Sequence, residues 1–122
     1  MIRHNGIEIS LVSRTIWHRK HVRRFNAGPH SVEFEIWCLL LLGGGQNRWQ
    51  IFDSVYGDDP EGGPDSGPHM IDVRIQQFKK KFAAMEFHLV KDRRASRTYW
   101  RLEPIPVFNV QQTADRILAH VV

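Results

Sequence analysis

Residues 69–82, HMIDVRIQQFKKKF, constrain the fold more than any other stretch of this chain. Ile71, Ile75, Phe78 and Phe82 recur at intervals of four, three and four, the spacing of one buried helix face. Around that stripe stand Arg74, Gln76, Gln77, Lys79, Lys80 and Lys81, with Asp72 as the only carboxylate. The spacing predicts a helix over roughly 69–84 that buries one side and offers amides and cations on the other. Solubility alone does not ask for this, because the usual mixture of glutamates and lysines would serve as well.

With 122 residues the chain is sized for one domain with a real but small core. Its hydrophobic fraction of 42% and its four tryptophans argue for a globular fold rather than a disordered one. The single cysteine, Cys38, excludes an internal disulfide framework and a Cys-based zinc cluster. The longest apolar run, residues 36–42, is far too short to span a bilayer and reads as core. The opening MIRHNGIEIS lacks the apolar segment of a secretory signal, so a cytoplasmic protein without membrane contact is expected.

The net charge of +4 hides a segregation of sign along the chain. Residues 1–30 carry six Lys/Arg against one acid, and residues 69–101 carry nine against three. Between them, residues 31–68 carry one base against seven acids. Basic segments flanking an acidic middle suit a polyanion-binding face with the acidic part turned elsewhere, unless folding remixes the charges.

Residues 7–11 alternate as a strand, and 14–18 and 21–25 read as further strands. Turns are expected at Val12 and Ser13 and at Arg19 and Lys20, giving a small N-terminal antiparallel sheet. Ala27, Gly28 and Pro29 break the chain. Residues 31–42 read as a helix with Phe34, Trp37, Cys38 and Leu41 on one face. His30 or Ser31 would cap it, Glu33 and Glu35 suit its dipole, and Gly43 to Gly45 end it. A second helix is expected over 47–56, with Ile51, Phe52 and Val55 inward. GDDPEGGPDSGP, 57–68, is an acidic loop without a large apolar residue. After the 69–84 helix a hairpin is expected, with strands 87–91 and 97–102 joined by a tip at 92–96 and with Trp100 and Leu102 sharing a face. Residues 109–122 read as an amphipathic helix carrying Val110, Ala114, Ile117, Leu118 and Val121 on one side.

A helix that presents amides and cations fits a DNA major groove, which admits a helix and displays base edges rich in acceptors. Arg74 and Gln77 are the candidates for base edges, flanked by Met70 and Gln76, with Val73 suited to a thymine methyl. Lys80 and Lys81 suit phosphates. Arg93, Arg94 and Arg97 at the hairpin tip would lie as a wing, 91–98, on the adjoining minor groove or backbone.

These segments resemble the winged-helix effector domain of the OmpR/PhoB response-regulator family over roughly residues 7–102. Glu33 and Phe34 with the leucine run resemble that family's T-x-x-E-F-x-L-L first helix, and IFDSVYG, 51–57, resembles its L-L-x-x-V-W-G second helix. MIDVRIQQFKKKF resembles T-V-D-V-H-I-x-x-L-R-x-K-L, the recognition helix, with Asp72 and Val73 matching outright. YWRL, 99–102, resembles the G-Y-R-L that closes the wing.

The resemblance implies an α+β fold: an N-terminal antiparallel sheet, a three-helix core and a C-terminal β-hairpin wing, here with an extra C-terminal helix. It implies DNA contacts on Met70, Val73, Arg74, Gln77 and the neighbouring lysines, and RNA polymerase contact through loop 57–68. The chain departs from the pattern in four ways. No receiver domain, and hence no phosphorylation switch, is expected within these 122 residues, His30 stands where a capping Thr is usual, Arg97 and Tyr99 replace wing glycines, and Met70 replaces a polar residue.

The expectation is therefore a winged helix-turn-helix at 1–102 with an extension at 103–122 that packs back or forms a homodimer. It would bind double-stranded DNA as a transcriptional regulator associated with the nucleoid. The competing reading is a winged-helix module that docks onto RNA polymerase or another regulator. Catalysis is not expected. His18 and His21 lack the carboxylate or cysteine partners of a zinc set, and LLGGGQNR lacks the Gly-Lys-Ser/Thr ending of a phosphate loop. No cofactor and no metal are implied.

Overall fold

The alternation of Ile7 and Ile9 sends both side chains to one face, where they are buried with Ile16 of the neighbouring strand. In the computed structural model, which describes residues 1–26 and 32–106, these belong to a four-stranded antiparallel sheet. Its strands are β1 (Ile2–His4), β2 (Ile7–Ser10), β3 (Thr15–His18) and β4 (His21–Arg24), each paired with the next. β1 lies outside the strands expected from sequence. Asn5 and Gly6 join it to β2 with positive φ angles of 49° and 78°, the geometry of an Asn-Gly hairpin turn. β2 ends at Ser10 rather than at residue 11, which leaves Leu11 in the turn.

Three helices come next: α1 (Val32–Leu42), α2 (Arg48–Tyr56) and α3 (His69–Ala84). The proposed caps of α1, His30 and Ser31, lie outside the described residues. α1 has no single inward stripe. Phe34, Ile36, Trp37, Leu40 and Leu41 are all buried, while Cys38 is only half-buried. The expected face was too narrow because the helix is packed against other elements on several sides. Trp37 is its centre, with ring centroids 4.7 Å from Phe82, 5.3 Å from Phe25 and 6.2 Å from Phe87.

α2 starts at a capping box, in which Asn47 Oδ1 accepts from Gln50 N and Gln50 Oε1 accepts from Asn47 N. Of its expected inward residues only Ile51 is fully buried. α3 has the bounds and the stripe read from sequence: Ile71, Ile75, Phe78 and Phe82 are all buried.

The chain closes with an antiparallel hairpin of β5 (Phe87–Arg94) and β6 (Arg97–Pro104). Its strands are longer than expected. The tip is not 92–96 but the two residues Ala95 and Ser96, with φ of 48° and 66°. Asp92, Arg93 and Arg94 are paired strand residues instead. Trp100 and Leu102 share the buried face, as the alternation indicates. The 109–122 segment lies outside the described residues.

Polar contacts add to the apolar core in joining these elements. Gln46 and Trp100 exchange backbone hydrogen bonds of 2.9 and 2.8 Å, which sets the start of α2 beside β6. The N-terminal sheet is clasped to the α3–β5 junction by β3 and the turn after it. His18 Nδ1–H donates to the Met85 carbonyl at 2.8 Å and its ring stacks on Phe87 at 4.3 Å. Arg19 and His21 both bond the Glu86 carboxylate, at 2.8 and 2.6 Å.

Candidate nucleic-acid interface

With its apolar stripe buried, α3 turns Val73, Arg74, Gln76, Gln77, Lys79 and Lys80 to solvent. Among the described residues no carboxylate pairs with Arg74, Lys79 or Lys80. Met70 and Lys81 are half-buried. Lys81 leans back instead of outward: its Nζ donates to Glu33 Oε1 at 2.8 Å and lies 5.4 Å from the Phe78 ring centroid. It is thus the most committed of the expected phosphate contacts.

The first turn of α3, the first turn of α2 and the hairpin turn enclose a cleft of about 260 Å³. Arg48, Trp49, Arg93, Arg97 and Thr98 line it, with Asp72 as its single carboxylate. Arg48 Nη1 donates to Asp72 Oδ2 at 2.8 Å, tying α2 to α3. The guanidinium carbons of Arg48 and Arg97 lie 4.5 and 4.8 Å from the Trp49 ring centroid, within cation–π range. Trp49 stays 40% exposed, so the indole that gathers these arginines also forms part of the surface.

Within the hairpin, Arg93 is exposed and unpaired among the described residues, whereas Arg94 lies 3.6 Å from Asp92 and stacks on Tyr99 at 4.8 Å. Arg101 anchors the base of the hairpin by bonding Asp92 and, at 2.7 Å, Glu103. The Glu103 bond, helped by Asp92, holds the Arg101 guanidinium above its ordinary value, and the Arg101 bond holds Glu103 below the usual carboxylate range. Lys91 Nζ sits 5.0 Å from the Trp100 ring centroid.

Sequence reasoning named ten residues for this surface, and the fold brings them onto two adjoining elements, α3 and the hairpin. It missed Arg48 and Trp49, which complete the cleft between them. A tryptophan in an amphipathic helix reads as core, and the Arg48–Asp72 pair spans 24 positions that no local pattern records. The signal that existed was Arg48 as the only base of the acidic middle segment.

The remaining chemistry-bearing residues do not converge. Among the described residues no group of three or more His, Cys, Asp and Glu could hold a metal ion. His18 and His21 are engaged in clasping the sheet to Met85 and Glu86. Burial, and then the Glu35 carboxylate, push the Cys38 thiol up to about 12, which leaves it protonated and unreactive at neutral pH. No described helix is long and apolar enough to cross a membrane. Comparison with protein-family models, with curated proteins and with solved structures found no match to the chain.

Proposed function

We propose that this chain is a winged helix-turn-helix that binds double-stranded DNA and regulates transcription. α3 lies in the major groove, and the β5–β6 hairpin is the wing on the adjacent minor groove or backbone. The observation that carries this reading is the exposed face of α3, where Arg74, Lys79 and Lys80, which pair with no carboxylate among the described residues, stand among the amides of Gln76 and Gln77. Gln reads adenine, Arg reads guanine, and lysines neutralise phosphate.

The arginine-lined cleft supports the same reading. Arg93 and Arg97 project beside α3, and Arg48 is held there by Asp72, so a backbone entering the cleft meets three guanidinium groups and one neutralised carboxylate. Trp49 offers an apolar wall against deoxyribose. Lys81 contributes less than its neighbours, because Glu33 already holds it.

The test is a titration of the purified protein against random duplex DNA over a salt series. Each phosphate contact contributes about 0.9 to the slope of log affinity against log salt. A steep slope that becomes shallower by about two when Lys79 and Lys80 are both replaced by alanine supports the reading. Absence of binding at low salt overturns it.

A further inference from the structure

α2 is electrically polarised. Arg48 at its start is in the basic cleft, whereas its far end, about 12 Å along the axis, meets the acidic residues Asp58 and Asp59. Two clefts adjoin there, of about 410 and 220 Å³, and they share Glu35 and Ser54. The smaller is a shallow apolar groove floored by Phe34, Cys38 and Leu39 of α1 and walled by Leu11. The larger continues past Val55 and Tyr56 to Asp58, Asp59 and Pro60.

Three features mark this as a surface made for contact. The turn between β2 and β3 carries Leu11 and Val12, 58% and 99% exposed, where turns ordinarily carry Gly, Asn or Asp. Leu11 lines the apolar groove, and Val12 follows it in the exposed turn. Among the described residues, neither cleft is lined by Lys, Arg or His. Asp53, Asp58, Asp59, Glu61 and Asp65 form no ion pair among the described residues, although most other acids of the fold are paired.

Glu33 of the acidic middle is spent on Lys81 and Arg23, but the acids at and beyond the end of α2 are not spent on the basic segments among the described residues. They form a rim beside an apolar floor, with Arg74 of α3 close enough to act on the Tyr56 hydroxyl that lines the larger cleft. An apolar floor with a carboxylate rim complements one kind of ligand, a helix with apolar residues on one side and lysines or arginines flanking them. We propose that the groove between the β2–β3 turn, α1 and the end of α2 docks a basic amphipathic helix of a partner protein. Leu11, Val12 and Leu39 meet the partner's apolar stripe, while Asp58 and Asp59 meet its cations. This site does not depend on the DNA reading.

The test uses a synthetic helix of about 15 residues, ~22 Å long, with Leu at helical spacing and Lys elsewhere. Its binding to the full chain is followed by fluorescence anisotropy at physiological salt. Two variants alter exposed positions only, Val12→Asp and the pair Asp58→Lys/Asp59→Lys, and a thermal melt verifies that each folds. The expected result is saturable one-to-one binding, weakened about tenfold or more by either variant, with no binding of the same peptide carrying Glu in place of Lys. Failure to saturate, indifference to both variants, or equal binding of the acidic peptide overturns the proposal. Sedimentation of the protein alone adds a further arm: self-association abolished by Val12→Asp would replace the partner helix with a second copy of the chain. DNA affinity is expected to be unchanged in Val12→Asp whichever way the peptide behaves, so the two readings stand or fall separately.

Discussion

Arg97, beside the hairpin turn, holds its guanidinium carbon 4.8 Å from the ring centroid of Trp49, in the first turn of α2. The contact joins two elements separated by the whole of α3. It also explains why a half-exposed tryptophan is kept on a surface otherwise rich in cations. An exposed cation–π contact contributes about 0.5–1 kcal/mol, enough to hold the hairpin in one orientation without making it rigid.

Trp49→Ala and Arg97→Ala are therefore expected to act differently on DNA binding. Loss of Arg97 removes a charge and should make the salt slope shallower by about one. Loss of Trp49 removes no charge, so affinity should fall at every salt concentration with the slope unchanged. Parallel salt titrations of the two variants check this. Equal slope changes would mean that Trp49 acts only by positioning Arg97.

Lys80 and Lys81 are neighbours in sequence but not in role. Lys80 is exposed and unpaired among the described residues, while Lys81 bridges to Glu33 across 48 positions of sequence. Lys80→Ala should lower the salt slope by about one with little effect on stability. Lys81→Ala should change the slope less and cost up to ~1 kcal/mol, the upper range for a partly exposed pair. Urea denaturation beside the DNA titration separates the two effects.

The contrast between these lysines shows what a sequence does and does not disclose. The bounds of α3 and its buried stripe were legible because helical periodicity is local, and four large apolar residues in register leave one solution. The β5–β6 pairing was legible from alternation, but its tip was not. Arginine-rich sequence looks like a loop, yet Ala95 and Ser96 alone make the turn and the arginines continue the ladder. The extent of α1 burial escaped because a helix apolar on all sides has no periodicity to read. β1 had a signal in Asn5 and Gly6, a dipeptide suited to a two-residue hairpin turn. The pairs Lys81–Glu33, Arg48–Asp72 and Arg19–Glu86 join residues 24 to 67 positions apart. They decide which cations remain free for a ligand, and only the tertiary structure assigns them.

Gly45 provides a test of how the α1–α2 connection supports the site. Its φ of +112° lies where residues with a Cβ are strained, and a Cβ there would come within 3.0 Å of Arg94 Nη2. Gly45→Ala is expected to destabilise the fold by about 1–3 kcal/mol. The same change would crowd the tip of the Arg94 side chain, which must give by a few tenths of an ångström, so most of the cost lies in the backbone of the connection. A lowered thermal midpoint is the readout, and an unchanged midpoint would show that the connection can readjust.

The clasp at Glu86 sets an expectation for acid stability. Hydrogen bonds from Arg19 and then His21 hold the Glu86 carboxyl below its ordinary value, although burial works in the opposite direction. A group whose folded value is depressed stabilises the fold above its unfolded value, near 4.3 for glutamate, and loses that contribution as pH falls through the folded value. Glu86→Gln should therefore be less stable than the parent at neutral pH, and the difference should close as the pH falls below about 4. Glu103, held down by Arg101, gives the parent a second acid-sensitive group, so the variant keeps part of the acid limb. Urea midpoints measured from neutral pH down to about pH 3 check the sign. A gap that widened with acid would mean that the Glu86 carboxylate does not hold the sheet to the α3–β5 junction.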